Sequence, residues 1–127
     1  MYGTGSGPGP YQIQAAIVAC HAEAPSWAAT DWPQILLLYD ALLRQSPSPV
    51  IRLHRAVAVG QVLGPQAALD AADALAGDLD RYYLYHATRA AFLRELGRPT
   101  PARQADERAL GLTANPAERA LLEQRLA

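Results

Sequence analysis

Lysine is absent from this 127-residue chain; all 11 basic residues are arginines. That excludes Schiff-base chemistry and the lysine of a phosphate-gripping loop. The single cysteine, Cys20, cannot form an internal disulfide, which points to a reducing compartment. No apolar run approaches the roughly 20 residues that a membrane helix needs. Met1 to Pro10 has neither the basic start nor the apolar core of a secretory signal. Neither sign of charge dominates: with 12 acidic residues the net charge is -1, which argues against a nucleic-acid surface. A cytoplasmic location is the resulting expectation. What is present is a globular balance, 50% hydrophobic and 18% charged, in a length that suits one domain.

The Gly/Ser/Pro-rich stretch 1–10 reads as a flexible leader, the trimmed end of a linker or an expression remnant, with a helical domain over 11–127. From Tyr11 to Ala24 the apolar positions Ile13, Ala16, Ile17, Cys20 and Ala24 recur at helical spacing, and Pro25 ends the run. Thr30 or Asp31 caps a second helix with Pro33 in its first turn, and Ser48-Pro49 opens a third that runs to Leu63. The third is apolar almost all round, the mark of a central helix. A fourth runs from Gly64-Pro65 to Gly77, then an acidic connector Asp78–Asp80, a fifth helix Tyr82–Leu96, and a sixth opened by Thr100-Pro101. Asn115-Pro116-Ala117-Glu118 starts the seventh in a pattern close to a capping box. The expected fold is all-α.

Self-similarity is the strongest signal. Gly64 and Gly97 each follow a leucine and lie 33 residues apart. On that offset Leu53, Ala56, Val57 and Ala58 fall on His86, Arg89, Ala90 and Ala91. The stretch Ala90 to Arg98, followed by Ala102, Ala105, Ala109 and Leu110, resembles a tetratricopeptide repeat, and Tyr39 to Pro47 resembles the second half of another. About three hairpins in a right-handed array plus a terminal helix fit the length, with a plain antiparallel bundle as the alternative. The pattern departs from the repeat at Ala72 and Asp106, where an aromatic is usual, and in the long loop Pro25–Asp31.

A more specific resemblance lies on the same residues. It is carried by Gly9-Pro10-Tyr11-Gln12-Ile13-Gln14-Ala15-Ala16-Ile17, Thr30-Asp31-Trp32, Ile35, Leu38-Tyr39-Asp40, Pro47-Ser48-Pro49-Val50 and Arg55-Ala56-Val57-Ala58. It continues through Gly64-Pro65, His86-Ala87, Arg89-Ala90, Leu96-Gly97-Arg98, Asn115-Pro116-Ala117-Glu118-Arg119 and Arg125-Leu126. Together these resemble the C-terminal tetratricopeptide-like extension of bacterial extracytoplasmic-function-type RNA polymerase sigma factors. His54 departs from the asparagine usual before Arg-Ala-Val-Ala. The resemblance implies an interaction and regulatory domain whose partners are its own sigma regions in cis or RNA polymerase. It implies no direct nucleic-acid binding by this segment and no membrane.

No catalytic constellation stands out, and a non-enzymatic domain without cofactor or metal is expected. His21, His54 and His86 lie on three different helices without zinc spacing, although the first helices of a helical array share one surface. Ser26, Ser46 and Ser48 sit beside prolines in loops and caps. Cys20 falls on an apolar stripe and reads as a buried small hydrophobe. Asp70, Asp73, Asp78 and Asp80 read as a solvated face and turn, and Tyr82, Tyr83, Tyr85 and Phe92 as core. Polar residues on the inner helices of an array are not explained by packing, which makes Gln14, His21, His54, Gln61 and Arg94 groove candidates. Trp27 in the long loop is a contact candidate. Arg52 and Arg55 can grip a partner's carboxylate or an acid within the domain, the latter being the commoner use. A free-standing peptide-binding adaptor is the alternative function, with a small-molecule sensor near Tyr82, Tyr85 and His86 a third reading. Apolar surface left open on the first helix leads us to expect some homodimer in isolation.

Overall fold

The computed structural model describes residues 8–127. Helices follow one another as α1 (Pro10–Glu23), α2 (Trp32–Gln45), α3 (Pro49–Leu63), α4 (Pro65–Asp73), α5 (Ala76–Leu79), α6 (Tyr83–Glu95), α7 (Pro99–Leu112) and α8 (Pro116–Leu126). There is no strand among the described residues. The fold is therefore all-helical, as the sequence pattern implies. The described residues form eight helices where seven were expected, because the expected fourth helix stops at Asp73 and a single turn, α5, forms in the connector. Leu75 and Leu79 explain that turn: both are buried, so the connector folds back to place them in the core. The expected 1–10 leader is corrected at its end, since Pro10 opens α1 and the Pro8 carbonyl accepts a bond from Gln45 Nε2 at 2.8 Å. Residues 1–7 of that leader lie outside the described residues.

The starts of the helices are chemically explicit. Asp31 accepts the Gln34 amide at 3.2 Å, and Ser48 accepts that of Ile51 at 3.4 Å. Asn115 accepts the amides of Ala117 and Glu118 at 2.9 and 3.1 Å. Each satisfies donors that a helix N-terminus leaves unpaired. The capping box expected at Asn115 is relayed. Glu118 accepts from the Thr113 hydroxyl, and that oxygen in turn accepts the Asn115 amide. α7 begins two residues earlier than the Thr100-Pro101 pattern suggests, with Pro99 in its first turn.

Each long helix packs on the ones before and after it in the chain. α3 is central, as its all-round apolar surface requires. Leu53 and Ala56 enter the cluster built from α4, α6 and α7, while Ala58 joins Ile13, Ile17, Trp32, Ile35 and Leu42 of α1 and α2. A smaller cluster of Ala87, Ala109 and Leu122 seats α8. α3 and α4 approach closely at Gly60, where an added Cβ would stand 3.0 Å from that of Ala68. On the outside of α1, Tyr11 and Val18 are exposed, the open apolar surface expected of this helix.

One ion pair recurs along the chain. Asp40, Asp73 and Asp106 are spaced 33 residues apart. Asp40 on α2 holds Arg55 of α3 at 2.7 Å, Asp73 on α4 holds Arg89 of α6 at 2.8 Å, and Asp106 on α7 holds Arg125 of α8 at 3.1 Å. In each case the aspartate receives an arginine from the next long helix. The third pair differs in depth: Asp106 is fully buried and takes a second arginine, Arg94 of α6, at 2.5 Å.

Candidate functional site

Two hollows lie side by side and share Trp27 and Val57. The larger, about 430 Å³, is lined by Val57 and Gln61 of α3, by Leu84, Thr88, Ala91 and Glu95 of α6, and by Arg125 of α8. The smaller, about 200 Å³, is walled by His21 of α1, Trp32 and Tyr39 of α2, and His54 of α3. Trp27, 58% exposed in the α1–α2 loop, forms the wall between them.

Four of the sequence-derived candidates therefore meet on one face: His21, Trp27, His54 and Gln61. The other four lie elsewhere. Gln14 is exposed on α1 and lines neither hollow. Arg52 and Arg55 line a separate depression with Asp40, and Arg55 is spent on that aspartate. Arg94 is corrected from groove residue to ion-pair partner, because the buried carboxylate of Asp106 draws it toward α7. In the groove its place is taken by Arg125, which also donates to the Ala87 carbonyl at 3.2 Å.

The histidines do not converge. His86 is buried and donates Nε2–H to the Asp80 carbonyl at 2.7 Å, which fixes its tautomer and keeps it away from the other two. Among the described residues no three His, Cys, Asp or Glu side chains gather as a metal site would require. Asp70, Asp73 and Asp80 are engaged by Gln66, Arg89 and Arg108. Tyr85 and Phe92 are buried as expected, while Tyr82 and Tyr83 are half-buried. Cys20 packs half-buried against the α1–α2 cluster. Loss of water, then the carboxylates of Asp31 and Glu23, push its thiol pKa up, which disfavours the reactive thiolate.

Val57, Leu84, Thr88, Ala91, Glu95 and Arg125 were missed as groove residues. The signal was available on α6, where Leu84, Thr88, Ala91 and Glu95 repeat at helical spacing opposite the buried Tyr85, Ala90 and Leu93.

Loss of water at the pocket floor lowers the His54 pKa below its ordinary value of 6.5. The unfolded chain then takes up this proton before the folded one. The contribution of His54 to stability is unimpaired above pH 6.5 and declines as pH falls toward the lower folded value. We expect thermal unfolding temperature to drop between pH 7.5 and 5 by less in His54→Gln than in the parent chain, as read by circular dichroism. The two proteins differ at this side chain alone, so pH effects from the rest of the chain are common to both.

The geometry defines an all-helical chain with an aromatic-walled hollow and an adjoining groove. The chain is similar to an uncharacterized protein of Rhizobium meliloti (strain 1021), with 50% identity over 119 residues, which cover 94% of this chain and 28% of that relative. It thus spans well under half the length of that relative. No family model matches the chain, and no solved structure does.

Proposed function

We propose that the chain is a protein-interaction domain of tetratricopeptide type that regulates a sigma factor, receiving a segment of the sigma regions or of RNA polymerase in the groove lined by Trp27, Gln61, Leu84, Thr88 and Glu95. The observation that carries this reading is the Asp–Arg pair whose aspartate returns every 33 residues, from one helical pair to the next. A repeated contact between successive units is what an array of hairpins requires and a plain bundle does not. Gly64 and Gly97, on the same spacing, both take positive φ, 98° and 72°, after their helices. The pairing of α1 with α2, α3 with α4 and α6 with α7, closed by α8, has the order of such an array. The fact that the chain covers only 28% of the Rhizobium relative is in keeping with a domain of a longer protein.

Calorimetry with the chain and a sigma fragment lacking it is the direct test. Binding in the micromolar range is expected, and Trp27→Ala is expected to weaken it tenfold or more, as an exposed aromatic anchor does. Absence of heat at high micromolar concentration would count against the sigma partner. An immunoblot of source cells separates the alternatives further: a band several times larger than 13.6 kDa fits the sigma reading, and a band at that mass fits a free-standing adaptor.

A further inference from the structure

The smaller pocket has a chemistry of its own. Its walls come from α1, the α1–α2 loop, α2 and α3, and five of its six lining side chains are aromatic rings: His21, Trp27, Trp32, Tyr39 and His54. The indole centroids of Trp27 and Trp32 lie 4.7 Å apart at a tilt of 57°, and His21 meets Trp32 edge-on at 5.3 Å. The loop is already tied down. Trp32 Nε1–H donates to the Trp27 carbonyl at 3.3 Å, and the Thr30 hydroxyl donates to that of Ser26 at 3.1 Å. The indole N–H of Trp32 is thereby consumed, so this ring offers π surface and not a donor. Trp27 is held at the mouth with little ordering left to lose on binding.

Between Cys20 and Trp32 the charged residues are Glu23 and Asp31, both acidic. No arginine lines the pocket. Asp31 and Glu23 stand close enough to act on Cys20, the neighbour of His21, and Asp31 also accepts the Gln34 amide. Partial loss of water keeps His54 from adding a positive charge near neutral pH. Indole and phenol faces are themselves negative. An anion is therefore disfavoured and a neutral ligand gains burial alone. A weakly hydrated organic cation gains burial, the π faces and the local field together.

We propose that the pocket bounded by Trp27, Trp32, Tyr39 and His54 is a binding site for an organic cation, a quaternary ammonium or a guanidinium group. The site stands whether or not the sigma reading does, because the chemistry is the same for a free small molecule and for an arginine side chain delivered along the adjoining groove.

Trp27 and Trp32 are the only tryptophans of the chain and both wall this pocket, so intrinsic tryptophan fluorescence reports its occupancy, with Trp27 facing the larger hollow as well. The whole chain is titrated at matched ionic strength with choline and with N-acetyl-arginine amide. Each is compared with its neutral counterpart, 3,3-dimethylbutanol or N-acetyl-citrulline amide. At least one cation is expected to give a saturable change at millimolar concentration, with an affinity about fivefold to thirtyfold above that of its neutral partner. Trp27→Leu is expected to remove that preference and Trp27→Phe to retain part of it, both in folded protein, since Trp27 is largely exposed. Preference for choline identifies a small-molecule site, and preference for the arginine derivative identifies a polypeptide side chain. Equal affinities for cations and neutral partners would overturn the proposal, and so would the absence of saturation by either cation.

Discussion

Removing both Arg94 and Arg125 is expected to cost about 3–5 kcal/mol of folding stability, because it strands the carboxylate of Asp106 without a cation in the core. Asp106 is fully buried, and its oxygens have no hydrogen-bond donors beyond the guanidinium groups that face them. Either arginine alone leaves the carboxylate one partner, so Arg94→Ala and Arg125→Ala singly should cost less than half as much as the pair. Adding Asp106→Leu to the double variant should recover most of the loss, since an apolar side chain of similar size needs no partner there. Asp106→Leu in the parent is expected to be mild. The arginine side chains are 37% and 29% exposed and can turn to water. Urea denaturation of the five variants and the parent gives the cycle directly. The same pair nearer the surface supplies the contrast. Asp40 and Asp73 are 40% and 49% exposed, so Asp40→Ala and Asp73→Ala should cost about 1 kcal/mol or less. A loss at Asp40 or Asp73 as large as that of the Arg94 and Arg125 double variant would mean that burial does not set the value of this contact.

These aspartates also show where sequence reading succeeds and where it stops. Helix existence was legible nearly everywhere, because Asp31, Ser48 and Asn115 are caps whose chemistry is local and because proline tolerates few places in a helix. The single turn α5 was not, since it exists to bury Leu75 and Leu79 against residues distant in the chain. Asp106 looked like a flaw in the repeat, a charge where an aromatic is usual. Its spacing from Asp40 and Asp73 was visible, but the matching arginines lie at uneven distances, 15, 16 and 19 residues further on. Only the packing of each long helix on the next reveals them as one device. Half of the candidate surface was found because exposed polar residues on α3 and a loop tryptophan have no other use. Arg94 misled for the opposite reason: an arginine reads as a surface residue until the buried acid it serves is located.

Stability is expected to be separable from the recognition proposed for the groove, and two aromatic variants test that. Phe92→Ala is expected to destabilise the chain by about 3–5 kcal/mol. Phe92 is 5% exposed and packs in the cluster that joins α3, α4, α6 and α7, while one side of its ring also lines the larger hollow. Its removal leaves a cavity between helices whose small residues, Ala56, Ala68 and Ala90, have no longer side chains with which to fill it. Phe92→Leu keeps most of the volume and should lose no more than about 1.5 kcal/mol. Trp27→Ala removes a larger ring from the same hollow yet should change stability by under about 1 kcal/mol, because that ring is 58% exposed. Chemical denaturation followed by circular dichroism measures all three without relying on the tryptophan signal. The ordering expected is Phe92→Ala far below Phe92→Leu, with Trp27→Ala close to the parent. If Trp27→Ala fell as far as Phe92→Ala, the loop tryptophan would be a core residue, and the wall between the two hollows would be structural before it was a surface for recognition.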